Sequence, residues 1–364
     1  MTAIEWTHRP GTKGESWNPI RARDRATGRV GWHCTHASDG CRNCYAERLN
    51  LNRRGFAFGT GLPYKPGYAQ AAGSAEGATG AQTGRVEIFL DDATLAQPLR
   101  WRQPRTIFVC SMTDPFGAFV PDTMIDRIFA IAALCPQHTF IVLTKRSERM
   151  RHYLQPGMRS SVERISSIAH AMSARFQIAG MRPQWPLPNV WLGVSAERQQ
   201  ESDERIPDLL ATPAAIRFAS LEPLLGPIDL TSICTGHYFI DALRGFKYHD
   251  APEGVDGATE PCAKLDWGIV GGESGPDARP MHPDWARSLR DQCGAAGTAF
   301  FFKQWGEFGP AFRLDLRPTG LPWSGEAQKA VHRGTATVEQ ATRRFGKRRA
   351  GRFLDGVEHN GWPA

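Results

Sequence analysis

Short apolar runs, each closed by a polar tip, recur along most of this chain. The clearest are residues 106–110 (T-I-F-V-C), 139–143, 190–194, 216–219, 266–270 and 298–302. Unbroken apolar runs of this length predict strands buried on both faces, as in a parallel sheet. Stretches with helical spacing lie between them. Pro121 opens one in which Met124, Ile125, Ile128, Phe129 and Ala132 recur at intervals of one to four residues, and Pro283 opens another that ends at Gly297. Residues 86–90 (V-E-I-F-L) read as a further strand of the same rhythm, and Glu5, Trp6, Trp17 and Asn18 mark a short first strand. Strands alternating with helices predict an α/β protein. Six or more such units predict a full or partial TIM-like (β/α) barrel with loop insertions.

The alternation is interrupted in several places. Residues 21–30 are a charged, Gly-containing insertion, and residues 55–85 are rich in Gly and Ala and read as mobile. Residues 151–188 hold a helical piece and then Pro183, Pro186 and Pro188, and residues 230–264 are polar. The rhythm stops after Trp305. The predicted organisation is a barrel over residues 1–310, with insertions at 55–85, 151–188 and 230–264. A C-terminal extension over 311–364 follows, in which residues 343–352 pack six Lys and Arg into ten positions.

Composition narrows the class. A chain of 364 residues suits one large barrel with insertions or two ordinary domains. No apolar run approaches the ~20 residues that span a bilayer, and the polar start lacks a signal-peptide core. Cys110, Cys135, Cys234, Cys262 and Cys293 are scattered, unlike the framework of a secreted disulfide protein. The expectation is a cytoplasmic protein with no membrane partner. A formal charge of +7 opens it to nucleic acid, the first partner class considered. A separate partner protein is the second.

The densest chemistry lies in residues 33–47, H-C-T-H-A-S-D-G-C-R-N-C-Y-A-E. Cys34, Cys41 and Cys44 form a C-x6-C-x2-C array flanked by His33 and His36. Residues 45–50 are helix-forming, so the cysteines sit on a loop that opens a helix. Three readings stand. One is a zinc site completed by His33 or His36. Another is a redox pair of Cys41 and Cys44. The third is an iron–sulfur cluster held by three thiolates with one iron open.

In a barrel, the loops after the strands build the active face. Here those tips are Ser111 and Asp114, Lys145 and Arg146, Ser195 and Glu197, Ser220 and Glu222, Glu273 and Ser274, and Lys303 and Gln304. They read as one site gathered from many loops. In the G-G-E-S-G run at 271–275, glycine permits close backbone approach, and Glu273 offers a carboxylate to an amine or a ribose hydroxyl.

The ordered set W-N-P (17–19), C-x6-C-x2-C-Y-A-E, S-M-T-D-P-F, L-T-K-R, W-L-G-V-S, S-L-E-P-L-L-G-P, V-G-G-E-S-G and F-F-K-Q-W-G-E resembles a phage and bacterial three-cysteine-motif family of unknown function. The likeness runs from about residue 4 to residue 307. That family is similar to radical S-adenosylmethionine enzymes, which share a partial barrel and a three-cysteine loop after the first strand. Most of those enzymes use C-x3-C-x2-C. Here the first gap is six residues, Tyr45 follows the last cysteine, and residues 21–32 are inserted before the first.

The resemblance implies a [4Fe–4S] cluster on Cys34, Cys41 and Cys44. By position it implies S-adenosylmethionine bound by Ser111, Asp114, Ser195, Glu197, Glu222 and Glu273. The expected function is that of a radical-SAM-like enzyme reductively cleaving S-adenosylmethionine, with a nucleic acid or nucleobase as substrate. The alternative is a zinc-stabilised, non-catalytic module that binds nucleic acid or protein.

Overall fold

The computed structural model describes residues 4–54, 86–155, 161–176, 184–249, 259–311 and 337–364. The chain divides into two compact units, Met1–Val194 with Arg205–Phe218, and Ser195–Glu204 with Ala219–Ala364.

The first unit runs through β1 (Lys13–Trp17), β2 (Ile20–Asp24), β3 (Val30–Gly31), a helix at Tyr45–Arg54, β4 (Val86–Leu90), β5 (Arg105–Val109), β6 (Thr139–Thr144) and β7 (Val190–Ser195). β1, β5, β6 and β7 pair in parallel, in that order. Their register puts Trp17 beside Val109, Val109 beside Val142, and Val142 beside Leu192. The strands therefore end nearly level, and the residues after them leave the sheet at one edge. The apolar runs form strands because both faces are covered: Ile107, Val109, Phe140, Ile141, Val142, Leu192 and Val194 are all buried. The helix Asp122–Leu134 turns Ile125, Ile128, Phe129 and Ile131 inward and packs on the helix Ser161–Phe176. Its buried Asp126 carboxylate accepts from Tyr153 Oη at 2.6 Å and Arg164 Nε at 2.8 Å, so the charge is not left unpaired.

Two sequence expectations change here. Residues 86–90 do form a strand, but β4 pairs antiparallel with β2 and lies outside the parallel sheet. The charged insertion at 21–30 is largely the hairpin of β2 and β3, which shares that small sheet. Its alternating I-R-A-R-D pattern turns Ile20, Ala22 and Asp24 inward and its arginines outward. The Gly- and Ala-rich stretch 55–85 lies outside the described residues.

β8 (Ile216–Leu221) begins in the first unit and ends in the second, which continues with β9 (Ile233–Cys234), β10 (Phe239–Asp241), β11 (Phe246–Tyr248), β12 (Glu260–Pro261), β13 (Trp267–Gly271), β14 (Ala299–Gln304), β15 (Phe308–Pro310) and β16 (Thr342–Arg344). The polar segment 230–264 holds a four-stranded antiparallel sheet in the order β12-β11-β10-β9. β13 and β14 pair in parallel, joined by the helix Pro283–Ala296. The His282 side chain accepts from Asp284 N–H at 3.1 Å at the start of that helix, and proline fills its first position.

In the C-terminal extension, the described residues 337–364 pair with the rest of the second unit. β16 pairs with β15, and Asn360 bridges antiparallel to Phe301 of β14. Phe302 N–H donates to His359 O at 3.0 Å and Gly361 N–H to Phe300 O at 2.9 Å, so this segment pairs with the strand at one end of the sheet order.

The fold is mixed α/β, with a seven-stranded sheet ordered β1-β5-β6-β7-β8-β13-β14. Parallel strands in chain order, linked by helices, are consistent with a partial β/α barrel. The order begins at β1 and ends at β14, so the described pairing does not close into a ring. Among the described residues no helix is long and apolar enough to cross a membrane.

Candidate functional site

In the first unit, the level strand ends surround the cysteine loop. Asn18 leaves β1 and binds the turn after β5: its Nδ2 donates to Ser111 Oγ at 3.1 Å, and its Oδ1 accepts from Met112 N–H at 2.9 Å. Tyr45, beside Cys44, donates its hydroxyl to Ser111 O at 2.6 Å. Thr113 Oγ1 donates to His33 O, one residue before Cys34. Cys110, at the same turn, has φ 57°, a left-handed conformation that is costly for a residue with a Cβ.

Asp114 is the hub of this edge. Its Oδ1 accepts from Phe116 N–H at 2.9 Å and Thr144 Oγ1 at 2.7 Å; its Oδ2 accepts from Lys145 N–H at 2.9 Å and Arg146 Nη1 at 3.0 Å. Arg146 then reaches the cysteine loop. Its Nη2 donates to Thr35 O at 2.6 Å and Thr35 Oγ1 at 2.7 Å, next to Cys34. On the other side of the loop, His36 Nε2 lies 3.0 Å from the buried Glu47 carboxylate, and Asn50 holds Trp32 by accepting from its N–H and donating to its carbonyl. Cys44, Trp32 and Leu49 pack against the buried pair Ala46 and Met112.

The three thiols are half-buried and unequal. Burial pushes Cys34 up to about 12, against the pull of Arg146. Burial and the charge of Cys41 push Cys44 up to about 11. Burial opposes ionisation of Cys41 too, but Lys145, the N–H groups of Ala37 and Ser38, and Arg146 outweigh it and hold this thiol below its usual range. Ala37 N–H donates to Cys41 Sγ at 3.5 Å. Lys145 is itself lowered to about 8 by burial, against the attraction of Cys41. His33 is buried and lowered to about 4, by burial and then by Arg146, and its Nδ1 has no hydrogen-bond partner among the described residues.

The second unit has its own polar edge, at the ends of β8, β13 and β14. Lys303 Nζ donates to both oxygens of Glu222 at 2.8 Å, and Gln304 Nε2 donates to Ser274 Oγ at 3.2 Å. Ser195 Oγ donates to Glu222 O at 3.3 Å, and Glu197 is fully buried. Glu273, also buried, accepts from Arg279 N–H at 2.8 Å, Nε at 2.9 Å and Nη2 at 2.7 Å. Its carboxylate is occupied by this fork rather than open to an amine or a ribose. The glycines beside it serve the backbone. A Cβ on Gly272 would collide with Trp305 O, and one on Gly306, at φ 80°, with Glu273 O. The expected close approach is thus made by the protein's own chain.

A family model described as protein of unknown function (DUF5131) matches residues 1–363. The chain belongs to the DUF5131 family. No curated protein and no solved structure matches it.

The expected site residues of this DUF5131 protein therefore fall into two sets. Cys34, Cys41, Cys44, Ser111 and Asp114 are gathered in the first unit; Ser195, Glu197, Glu222 and Glu273 belong to the second. Sequence reasoning missed Thr35, Thr113 and Asn50, which hold the cysteine loop, and gave Asn18 and Tyr45 no role in the site. The N of W-N-P and the Y of C-Y-A-E were the available signals.

Among the described residues, no three His, Cys, Asp or Glu side chains are grouped so as to hold one metal ion. A tetrahedral zinc demands that convergence, with thiolates about 2.3 Å from a common centre. An iron–sulfur cluster instead meets each thiolate at a separate iron. The three half-buried thiols, with Arg146 and Lys145 in electrostatic reach, are the residues that would hold a metal group here.

Proposed function

We propose that this DUF5131 protein is an iron–sulfur enzyme related to radical S-adenosylmethionine proteins, built on a partial β/α barrel. Cys34, Cys41 and Cys44 would hold a [4Fe–4S] cluster. When bound, that cluster supplies the electron for reductive cleavage of S-adenosylmethionine, and the substrate class we favour is a nucleic acid or nucleobase. The setting we propose is the cytoplasm, where thiols stay reduced.

The observation that carries this reading is the Arg146 bridge. One guanidinium joins the buried Asp114 to Thr35, beside the first cysteine. The fork ties the loop to the strand ends, and its charge, with that of Lys145, favours the ionised form of Cys41. Asp114 orients Arg146. Cys41, the thiol held lowest, is the natural first ligand. Ser111, tied to Asn18 and Tyr45, holds the turn that forms the neighbouring wall.

The test is anaerobic reconstitution with iron and sulfide, followed by metal and sulfide counting and the absorption spectrum. About four irons and a thiolate-to-iron charge-transfer band, both lost in Cys34→Ala, are expected. A colourless protein with one stoichiometric zinc would overturn the proposal.

A further inference from the structure

The polar segment 230–264 folds as the antiparallel sheet of β9, β10, β11 and β12, and its two faces differ. Cross-strand pairing sets Ile233, Ile240 and Lys247 side by side on one face. Ile233 and Ile240 are buried, so this is the inward face. The other face carries Phe239 beside Tyr248, Asp241 beside Phe246, and Phe246 beside Pro261. Phe239 and Tyr248 stack, with ring centroids 5.7 Å apart and planes 23° from parallel. The Tyr248 hydroxyl anchors the pair by donating to Thr231 O at 3.1 Å. Phe246 is 43% accessible, and its neighbour Pro261 is exposed. Outward positions of an antiparallel sheet are ordinarily polar. Here three of the four on β10 and β11 are aromatic.

The fourth outward position, Asp241, is already occupied. Its Oδ1 accepts from Leu243 N–H at 3.1 Å and Arg244 N–H at 2.9 Å, and its Oδ2 accepts from Arg244 Nη1 at 2.8 Å. A cation stands at the Phe246 end of the face. A Cβ placed on Gly245, the residue before Phe246, would lie 3.3 Å from the Cβ of Lys264. Lys264 is exposed and forms no ion pair among the described residues.

Size and chemistry together select the occupant. Four strands about 4.8 Å apart, each two or three residues long, make a face of roughly 15 by 10 Å. That is about 150 Å², far below the ~800 Å² that each partner of a stable protein pair buries. One or two flat rings match it. A sugar would stack here too, but its hydroxyls need side-chain acceptors, and the carboxylate of Asp241 is satisfied. We infer that this face binds single-stranded nucleic acid. One base stacks on Phe246, the next lies against Tyr248 about 7 Å along the same strand, and a phosphate beside the first base meets Lys264. An aromatic platform with a cation at its edge holds unpaired strands with little regard to sequence. A duplex keeps its bases stacked internally and offers Phe246 no partner. Binding here shares its ligand class with the proposed substrate but uses the second unit alone, whatever the cysteine loop holds.

Fluorescence anisotropy on the full chain, with a labelled single-stranded oligonucleotide and its duplex across a salt series, tests this. Phe246→Ala should weaken single-strand binding about tenfold and leave duplex binding unchanged. Phe246→Trp should bind at least as tightly as the wild type, whereas Phe246→Leu should be as weak as Phe246→Ala, because only a ring stacks. Lys264→Ala should lower the slope of log affinity against log salt by about 0.7, the share of one single-strand phosphate. Cys34→Ala should bind as the wild type does, so a failed cluster and a failed platform give different results. Phe246 and Lys264 are exposed, and an unchanged melting midpoint verifies that their variants fold. If a Phe246 variant melts early, Lys264→Ala decides alone. The inference fails if the wild type binds no oligonucleotide at low salt, if duplex binds as tightly as single strand, or if Lys264→Ala keeps the wild-type slope. It also fails if Phe246→Leu binds as the wild type does, since the contact is then merely apolar.

Discussion

Arg146 shows how one side chain couples a sheet to a loop. Its two ends meet different partners, the Asp114 carboxylate and both oxygens of Thr35. Lysine keeps the charge but not the planar fork, so it cannot span both. Arg146→Lys should therefore free the loop without emptying its electrostatics. Alkylation of Cys34 by a neutral reagent should accelerate roughly tenfold, the factor expected from losing one or two hydrogen bonds worth about 1 kcal/mol each. Peptide mapping after timed labelling reads this, and an unchanged Cys34 rate would show that the fork does not set the loop's position. His138 makes a different residue-scale case. It is buried, accepting from Arg105 N–H at Nδ1 (3.2 Å) and meeting Pro98 O at Nε2 (3.2 Å), which implies the neutral ring protonated at Nε2. Burial holds its pKa below the ordinary imidazole value. As pH falls through the usual range near 6.5, the unfolded chain takes up a proton that the folded ring resists, so stability falls with falling pH and is fully present above that range. His138→Gln should flatten the part of that slope due to this ring. Urea unfolding of both proteins between about pH 5 and 8 measures the difference, which must shrink as pH falls.

At the scale of elements, legibility followed burial. The runs at 106–110, 139–143, 190–194, 216–219, 266–270 and 298–302 each coincide with a strand to within a residue or two, because strands covered on both faces must be apolar throughout. β2 was hidden because only every second residue is buried, and its outward arginines gave the stretch the look of an insertion. β4 was recognised as a strand but misassigned, since a short apolar run does not encode its partner's direction. β15, β16 and the 359–361 segment left little trace. They are held by backbone pairing and by tryptophan N–H groups, which no apolar periodicity announces. The site was legible in the same uneven way. Spacing alone marked Cys34, Cys41 and Cys44. The partners that occupy Asp114 and Glu273 were invisible, because Arg146 lies 32 residues from the first and the fork from Arg279 depends on the turn between β13 and the following helix. Polar strand tips mark the edge at which the strands end, while which carboxylates are already satisfied needed coordinates.

For the molecule as a whole, the C-terminal segment becomes a structural component of the second unit rather than an appendage. Trp267 of β13 donates Nε1–H to Gly361 O at 2.8 Å, and its ring lies 4.7 Å from that of Trp362. Trp362 also meets Phe301 of β14 at 5.7 Å, edge to face. One residue near the chain's end thereby touches both strands of the parallel pair, and the segment before it pairs with β14. Without Trp362 the segment loses its ring contacts to Trp267 and Phe301 and rests on its backbone bonds to Phe300 and Phe302 and on the Trp267 Nε1–H bond. Trp362→Ala removes a partly exposed aromatic rather than a fully buried one, so the loss should be about 2 kcal/mol, below that of a core tryptophan. The effect should also be local at first. Amide exchange at Phe300, Phe302 and Gly361 should quicken by roughly the factor of thirty that 2 kcal/mol implies, as the segment opens without global unfolding. Amides of β5 and β6 in the first unit serve as the reference. If exchange at β14 keeps its wild-type rate in Trp362→Ala, the segment is not what covers that strand.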